Sequence, residues 1–139
     1  MTIKQLSIFI ENRGGTLIRV LNLLSEAGIQ LIASMVADTQ DYGIYRILCD
    51  APARAYLILK EAGINVQLSD VIALSIDDEP GKAAQAVQVL STAGVSISYL
   101  YSFLWKGKGV LAFRANPADK AKEAIMINKL SFLTEEDFK

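Results

Sequence analysis

Two short stretches carry the residues whose types and spacing suit ligand chemistry. The first is Glu11-Asn12-Arg13-Gly14-Gly15-Thr16-Leu17, and the second is Asp77-Asp78-Glu79-Pro80-Gly81-Lys82-Ala83. In both, an alternating apolar segment gives way to a segment of helical periodicity, with a glycine at the junction. The first turn of a helix leaves amide N–H groups without intrahelical partners and carries a partial positive charge. A glycine there lets a ligand approach the backbone, so Gly15 and Gly81 suit a carboxylate. The same glycines also satisfy a plain tight turn. Arg13 and Glu79 occupy equivalent positions with opposite charge, so the first turn is expected to be the better anion site.

Other reactive constellations are missing. The chain has no histidine, which removes the commonest general base and the commonest nitrogen ligand for metals. No nucleophile–base pair is visible, so no enzymatic activity is expected. Asp77 and Asp78 are neighbours on a strand and point to opposite faces, and Glu135, Glu136 and Asp137 read as a solvated tail. No metal and no cofactor are therefore expected. Cys49 is the one cysteine and sits in an apolar run, where it reads as a small buried hydrophobe. Lys106-Gly107-Lys108-Gly109 precedes no helix and lacks the phosphate-loop pattern.

Charge is balanced in both halves. Residues 1–69 carry six basic and six acidic side chains, and residues 70–139 carry eight and nine. No nucleic-acid partner is expected from that balance. With 52% hydrophobic residues but no long uncharged apolar run, neither a membrane partner nor a signal segment is expected. A cytoplasmic protein with buried interfaces fits instead, and a homodimer is expected.

The elements that position the two turns repeat. Gly15 and Gly81, Gly28 and Gly94, and Gly43 and Gly109 all stand 66 residues apart. Leu24/Leu90, Ser25/Ser91 and Ala27/Ala93 agree at the same offset. Strands are predicted over 3–10, 29–37, 44–49 and 64–68, with helices over 17–27 and 52–62. The second copy gives strands over 71–76, 95–105, 110–115 and 130–133, with helices over 83–93 and from Pro117. The tail 134–138 reads as one helical turn. The helix after Pro52 is drawn through Ala55, Leu57, Leu59 and Ala62. Tyr99, Tyr101, Phe103 and Trp105 share one strand parity with Val95 and Ile97, either as core and interface or as a wall for an apolar ligand. Leu31, Ala33 and Met35 are likewise placed on one face of their strand.

Each half thus reads βαββαβ, a split βαβ unit in an α+β class. Two ferredoxin-like units are expected, residues 1–69 and 70–139, each an antiparallel sheet with helices on one face. Pairing of the sheets side by side would cover open edges.

An acidic-x-x-Pro-Gly turn, an amphipathic helix, then Ala-Gly-Ile/Val and a strand resembles the ACT domain. Asp77 to Lys82 followed by Ser91-Thr92-Ala93-Gly94-Val95-Ser96-Ile97 carries one copy, and Glu11 to Leu17 followed by Ser25-Glu26-Ala27-Gly28-Ile29 the other. The resemblance covers the chain as a tandem pair. It implies regulation by a small molecule, usually an amino acid, bound where domains pair, with binding altering domain or subunit pairing and with a metabolic enzyme as a possible partner. A ligand-free interaction module acting on such an enzyme is the alternative. Transferred by position, the resemblance implies a first site of Asn12, Arg13, Gly14, Gly15 and Thr16 with Ile32, Ala33 and Ser34. The second is Asp78, Glu79, Pro80, Gly81 and Lys82 with Ser98, Tyr99 and Leu100. Gly14 stands where the family has the proline that Pro80 keeps, which loosens the first turn.

Overall fold

The computed structural model describes residues 1–11, 15–38 and 42–139. The chain divides into two compact units, Lys4–Ser69 with Phe138–Lys139, and Met1–Ile3 with Asp70–Asp137.

The first unit carries β1 (Thr2–Glu11), α1 (Thr16–Glu26), β2 (Leu31–Asp38), β3 (Tyr42–Cys49) and α2 (Pro52–Glu61). β3 pairs antiparallel with β1 and with β2. Alternation along β1 and β3 puts Leu6, Ile8, Tyr45, Ile47 and Cys49 on one face. There they pack with Val20 and Leu24 of α1 and with Ala55 and Leu59 of α2. Burying such stripes is what holds short helices in place, since helices of this length are marginal alone. Pro52 opens α2 at a position that needs no backbone donor.

The second unit follows the same plan. β4 (Val66–Ile76), whose residues from Asp70 belong to this unit, is followed by α3 (Lys82–Thr92), β5 (Ser96–Trp105), β6 (Lys108–Asn116) and α4 (Ala118–Ile127). β6 pairs antiparallel with β4 and with β5. Ile72, Leu74, Leu111 and Phe113 meet Ala86, Leu90, Ala121 and Ile125 across the sheet–helix layer. Lys106 and Gly107 both have positive φ, 49° and 78°, which gives the two-residue hairpin of type I′ between β5 and β6.

Several expectations are corrected. The strands expected over 64–68 and 71–76 are one continuous strand, β4. Ser69 and Asp70 interrupt the apolar pattern, but neither glycine nor proline is present to turn the chain. The strand expected over 130–133 is reduced to a bridge between Leu74 and Phe132. Ser75 N donates to Ser131 O at 2.9 Å and Leu133 N to Ala73 O at 2.8 Å beside it. The tail does turn helically, as a 3-10 helix over Glu135–Phe138 that buries Phe138. Leu57 lies 59% exposed, while Ala55 and Leu59 are fully buried. Two residues along a helix is a rotation of about 200°, so Leu57 faces away from both.

A second correction concerns strand parity. The pairing of β2 with β3 shifts register between Leu31 and Ala33, and that of β5 with β6 shifts between Ile97 and Tyr99. Each shift is a β-bulge, at Ile32 and at Ser98, and the two lie at the repeat offset. Before the bulge, Ile97 opposes Ala115 and joins the helix-side core. After it, Tyr99 opposes Arg114, Tyr101 opposes Ala112 and Phe103 opposes Val110. These aromatics therefore face away from the helices, although they share sequence parity with Ile97. Leu31, opposite Cys49, is likewise separated from Ala33 and Met35, opposite Leu48 and Arg46.

Cys49 is buried and free, and burial pushes its thiol above the ordinary value while the Ala51 amide pulls partly against that. Iodoacetamide is expected to leave Cys49 unmodified in the native chain at pH 8 and to label it once denaturant is added, read by intact mass. Leu59→Ala is expected to cost about 2–5 kcal/mol in urea unfolding. Leu57→Ala, on the exposed side of the same helix, should stay within about 0.5 kcal/mol of the parent.

Candidate functional site

The second glycine turn is described throughout. β4 ends at Ile76, and the chain tightens at once: Glu79 N donates to Asp77 O at 2.9 Å and Lys82 N to Glu79 O at 3.3 Å. Gly81 is the N-cap of α3 with φ 87°. That left-handed conformation costs an L-residue about 1–2 kcal/mol, which is why glycine stands there. Gln85 N then makes the first helical bond, to Gly81 O at 3.0 Å. No side chain caps the helix, and its first turn holds no acidic residue. A Cβ added to Gly81 would meet nothing within 4 Å.

A cavity of about 290 Å³ lies against this turn. Asp78, Glu79, Gly81 and Ala83 form one wall. Ser102, Phe103 and Leu104 of β5, with Gly109, Val110 and Leu111 of β6, form the other. The hairpin register explains the second wall. Ile76 opposes Gly109, Gly109 opposes Leu104, and Leu111 opposes Ser102, so all of them sit at the end of the sheet where β4 turns into α3. Gly109 also keeps the strands close, because a Cβ there would meet Ile76 Cγ1 at 3.2 Å.

The rim is charged. Lys108 Nζ lies 2.6 Å from Asp77 Oδ1, an ion pair between exposed side chains. The hydrogen bond from Lys108 holds the Asp77 carboxyl below its ordinary value, helped by the charges of Lys108 and Lys82. The same pair raises Lys108. An amino acid presents one carboxylate and one ammonium. Here an uncapped helix start stands beside the carboxylates of Asp78 and Glu79, so one small cleft offers opposite polarities.

The residues assigned from the sequence separate into groups. Asp78, Glu79 and Gly81 come together on this cavity. Lys82 lines a neighbouring cavity of about 450 Å³ with Asp77, Gln85, Lys108 and Lys129. Pro80 is exposed and lines neither. Ser98, Tyr99 and Leu100 lie at the β5 bulge, farther from the hairpin than Ser102 to Leu104, and do not line this cavity. Ser102, Leu104, Gly109 and Leu111 were missed by sequence reasoning. The hairpin at Lys106-Gly107 was the signal that could have found them, because it sets the register of both strands. In the first copy, Asn12, Arg13 and Gly14 lie outside the described residues. Gly15 is the N-cap of α1 with φ 108°, and Thr16 is the first residue of the helix. Arg19 N donates to Gly15 O at 3.0 Å. Ile32, Ala33 and Ser34 lie on β2 around its bulge, with Tyr45 Oη donating to Ser34 Oγ at 3.0 Å.

Two duplicated units, each opening its first helix from a left-handed glycine, bear on the family. A profile described as the ACT domain pair matches residues 1–139. The chain belongs to the ACT domain pair family. No curated protein matches it. The crystal structure of a protein from Bacteroides thetaiotaomicron is similar at 36% identity and TM-score 0.93, over 99% of this chain and 96% of that one. The ligand-free regulatory subunit of aspartate kinase from Thermus thermophilus is similar in fold, at 18% identity and TM-score 0.61, over 89% and 91% of the two chains. The regulatory subunit of aspartate kinase from Thermus flavus gives 16% identity and TM-score 0.55 over 89% and 90%. Among the described residues, no helix is long and apolar enough to cross a membrane.

Because the folded Asp77 carboxyl is depressed, its link to Lys108 is fully present above the ordinary carboxylate range and is lost as pH falls through the lowered value. In a carboxyl-carbon NMR titration, Asp77 is expected to titrate below the ordinary aspartate value. Lys108→Gln should return Asp77 toward the ordinary value of about 3.9.

Proposed function

We propose that this ACT domain pair is a regulatory protein whose ligand is a free amino acid, held at the glycine turn of the second unit. The observation that carries the reading is the cavity of about 290 Å³ against the uncapped start of α3. Its size is at the lower end for small-molecule sites, which suits a metabolite of amino acid size. The α-carboxylate would take the free amides of the first helical turn, where the helix dipole favours an anion. The ammonium would take Asp78 or Glu79. Leu104 and Leu111 leave an apolar wall for the side chain. Gly15 begins α1 in the same left-handed conformation, so the first unit is a candidate for a second site of the same kind.

Signalling would work through pairing of chains. β5 is hydrogen-bonded to β6 and ends its sheet, and an edge of that kind invites a further strand. A ligand seated against β5 would favour whichever homodimer arrangement completes its site, by the difference in its affinity for the alternatives. The regulatory subunits similar in fold belong to aspartate kinase, which supports a metabolic enzyme as the regulated partner here. A competing reading is a ligand-free interaction module. Leu100 at 38% exposed and Leu104 at 66% favour it, since both are apolar side chains open on an edge strand.

Isothermal titration of the whole chain against the twenty amino acids separates the two. Saturable binding of one or a few amino acids is expected. Ser102→Trp, which fills the cavity from an exposed strand position that tolerates aromatics, should weaken it at least about tenfold. Silence toward all twenty from a stable dimer would leave the interaction module as the function.

A further inference from the structure

The two units differ where their helices end. In the first, two arginines tie the helix pair together reciprocally. Arg19 of α1 donates from Nη2 to the carbonyl of Ala62, the C-cap of α2, at 2.7 Å. Arg54 of α2 donates from Nη2 to the carbonyl of Ala27, the C-cap of α1, at 2.5 Å. The last carbonyls of a helix have no intrahelical donor and carry partial negative charge, so two guanidinium groups satisfy what the helices cannot.

At the repeat offset, the second unit has Gln85 for Arg19 and Lys120 for Arg54. The corresponding acceptors are the C-caps Ala93 of α3 and Asn128 of α4. Among the described residues, neither carbonyl receives a hydrogen bond. A cavity of about 440 Å³ opens there between the two helices, within the range of small-molecule sites. Ala93 and Asn128 line it, together with Lys120, Glu123 and the apolar side chains of Val89 and Ile127. Glu123 replaces Leu57 of the first unit and adds an acid to the groove. Asn128 turns its side-chain amide back onto Ala124 O at 2.8 Å and leaves its own carbonyl open.

We propose that the cavity between α3 and α4 binds a guanidinium group from outside the chain, seated on the C-cap carbonyls of Ala93 and Asn128. The first unit shows how the chemistry is met, because its equivalent acceptors are occupied by guanidinium groups of its own. A guanidinium suits the site better than an ammonium. It is a planar fork of donors that can serve separated carbonyls at once, and it is less strongly hydrated. Glu123 offsets the charge of Lys120 in the same lining, so the attraction comes from the two helix ends, and the stem would lie along Val89 and Ile127. The groove lies on the helix layer, whereas the glycine-turn cavity lies against β5 and β6, so this inference stands or falls separately from the amino acid site.

The test is a 15N–1H NMR titration of the whole chain with agmatine, with 1,4-diaminobutane as the ammonium control and a capped Ala-Arg-Ala peptide as a second guanidinium source. Saturable shifts of the amides at 93–94 and 128–129 with agmatine are expected, at least about tenfold tighter than any with the diamine. Gln85→Arg with Lys120→Arg copies the first unit and should abolish those shifts by filling the groove from within. Lys120→Arg alone, an exposed conservative change, should weaken binding and keeps the test open if the double variant does not fold. Tighter binding of agmatine assigns a free metabolite, and tighter binding of the peptide assigns an arginine of a partner. No saturable shift at these helix ends, equal response to the diamine, or binding unchanged in both variants would overturn the proposal.

Discussion

A helix that begins from a left-handed residue gives up the usual way of closing its own start. Ser, Thr, Asp or Asn at the N-cap would accept a bond from the first-turn amides, but these residues cap from extended backbone rather than from positive φ. Gly15 and Gly81 hold φ at 108° and 87°, and no side chain caps α1 or α3. The backbone geometry that lets strand and helix meet over so short a turn therefore also leaves the start of α3 without a side-chain cap. Folding demand and binding capacity come from the same torsion angle. This is why a glycine at either position cannot by itself separate a structural role from a receptive one. In the second unit the opposite wall makes the turn border a cavity. Ser102, Leu104, Gly109 and Leu111 stand off from the turn and leave a cavity rather than packing into it.

The opposite wall depends on two local devices in the strands. The type I′ turn at Lys106-Gly107 fixes the β5–β6 register at one end, and the bulge at Ser98 resets it at the other. Between them, Ser102 and Leu104 fall on the helix side and Tyr101 and Phe103 on the far side. Without the bulge the aromatics would continue the face of Ile97 and crowd the space under the turn. One inserted residue thus decides whether the helix side of β5 carries the aromatics or Leu100, Ser102 and Leu104. The bulge at Ile32 does the same in the first unit, where Ser34 and Val36 oppose Ile47 and Tyr45 on the core side. A duplicated irregularity at a fixed offset is part of the architecture, as bulges near sites commonly are.

These details explain what the sequence could and could not yield. Helix faces were legible wherever i, i+3 and i+4 spacing held, as for Val20 with Leu24 and Ala86 with Leu90, all buried. The glycine register made the duplication plain because Gly15, Gly28, Gly81 and Gly94 all hold positive φ. Leu57 was misplaced because an apolar residue was credited to a face its angular position excludes. Strand parity failed at Ile32 and Ser98 because a bulge leaves no signature in an apolar strand that lacks glycine. The break between two expected strands at Ser69-Asp70 failed for the opposite reason, since polarity alone does not turn a chain. Of the site, the turn was legible and the facing strands were not, because register depends on hydrogen-bond pairing across the hairpin rather than on residue type.

Duplication sets an internal standard against which divergence can be read. Glycine holds positive φ in both copies at Gly15 and Gly81 and at Gly28 and Gly94, while Gly63 is answered by Lys129, and Leu24 and Leu90 are identical in the two cores. Positions that close a surface are free to change once the fold stands on its core. Arg19 and Arg54 close the helix ends of the first unit, while Gln85 and Lys120 leave those of the second open. An exposed hydrogen bond contributes only about 0.5–1.5 kcal/mol, so losing two such ties does not threaten a unit held by Leu90, Phe113 and Ile125 in its core. The energetic slack lies at the surface, and that is where two copies of one fold can acquire different binding chemistry without either losing its structure.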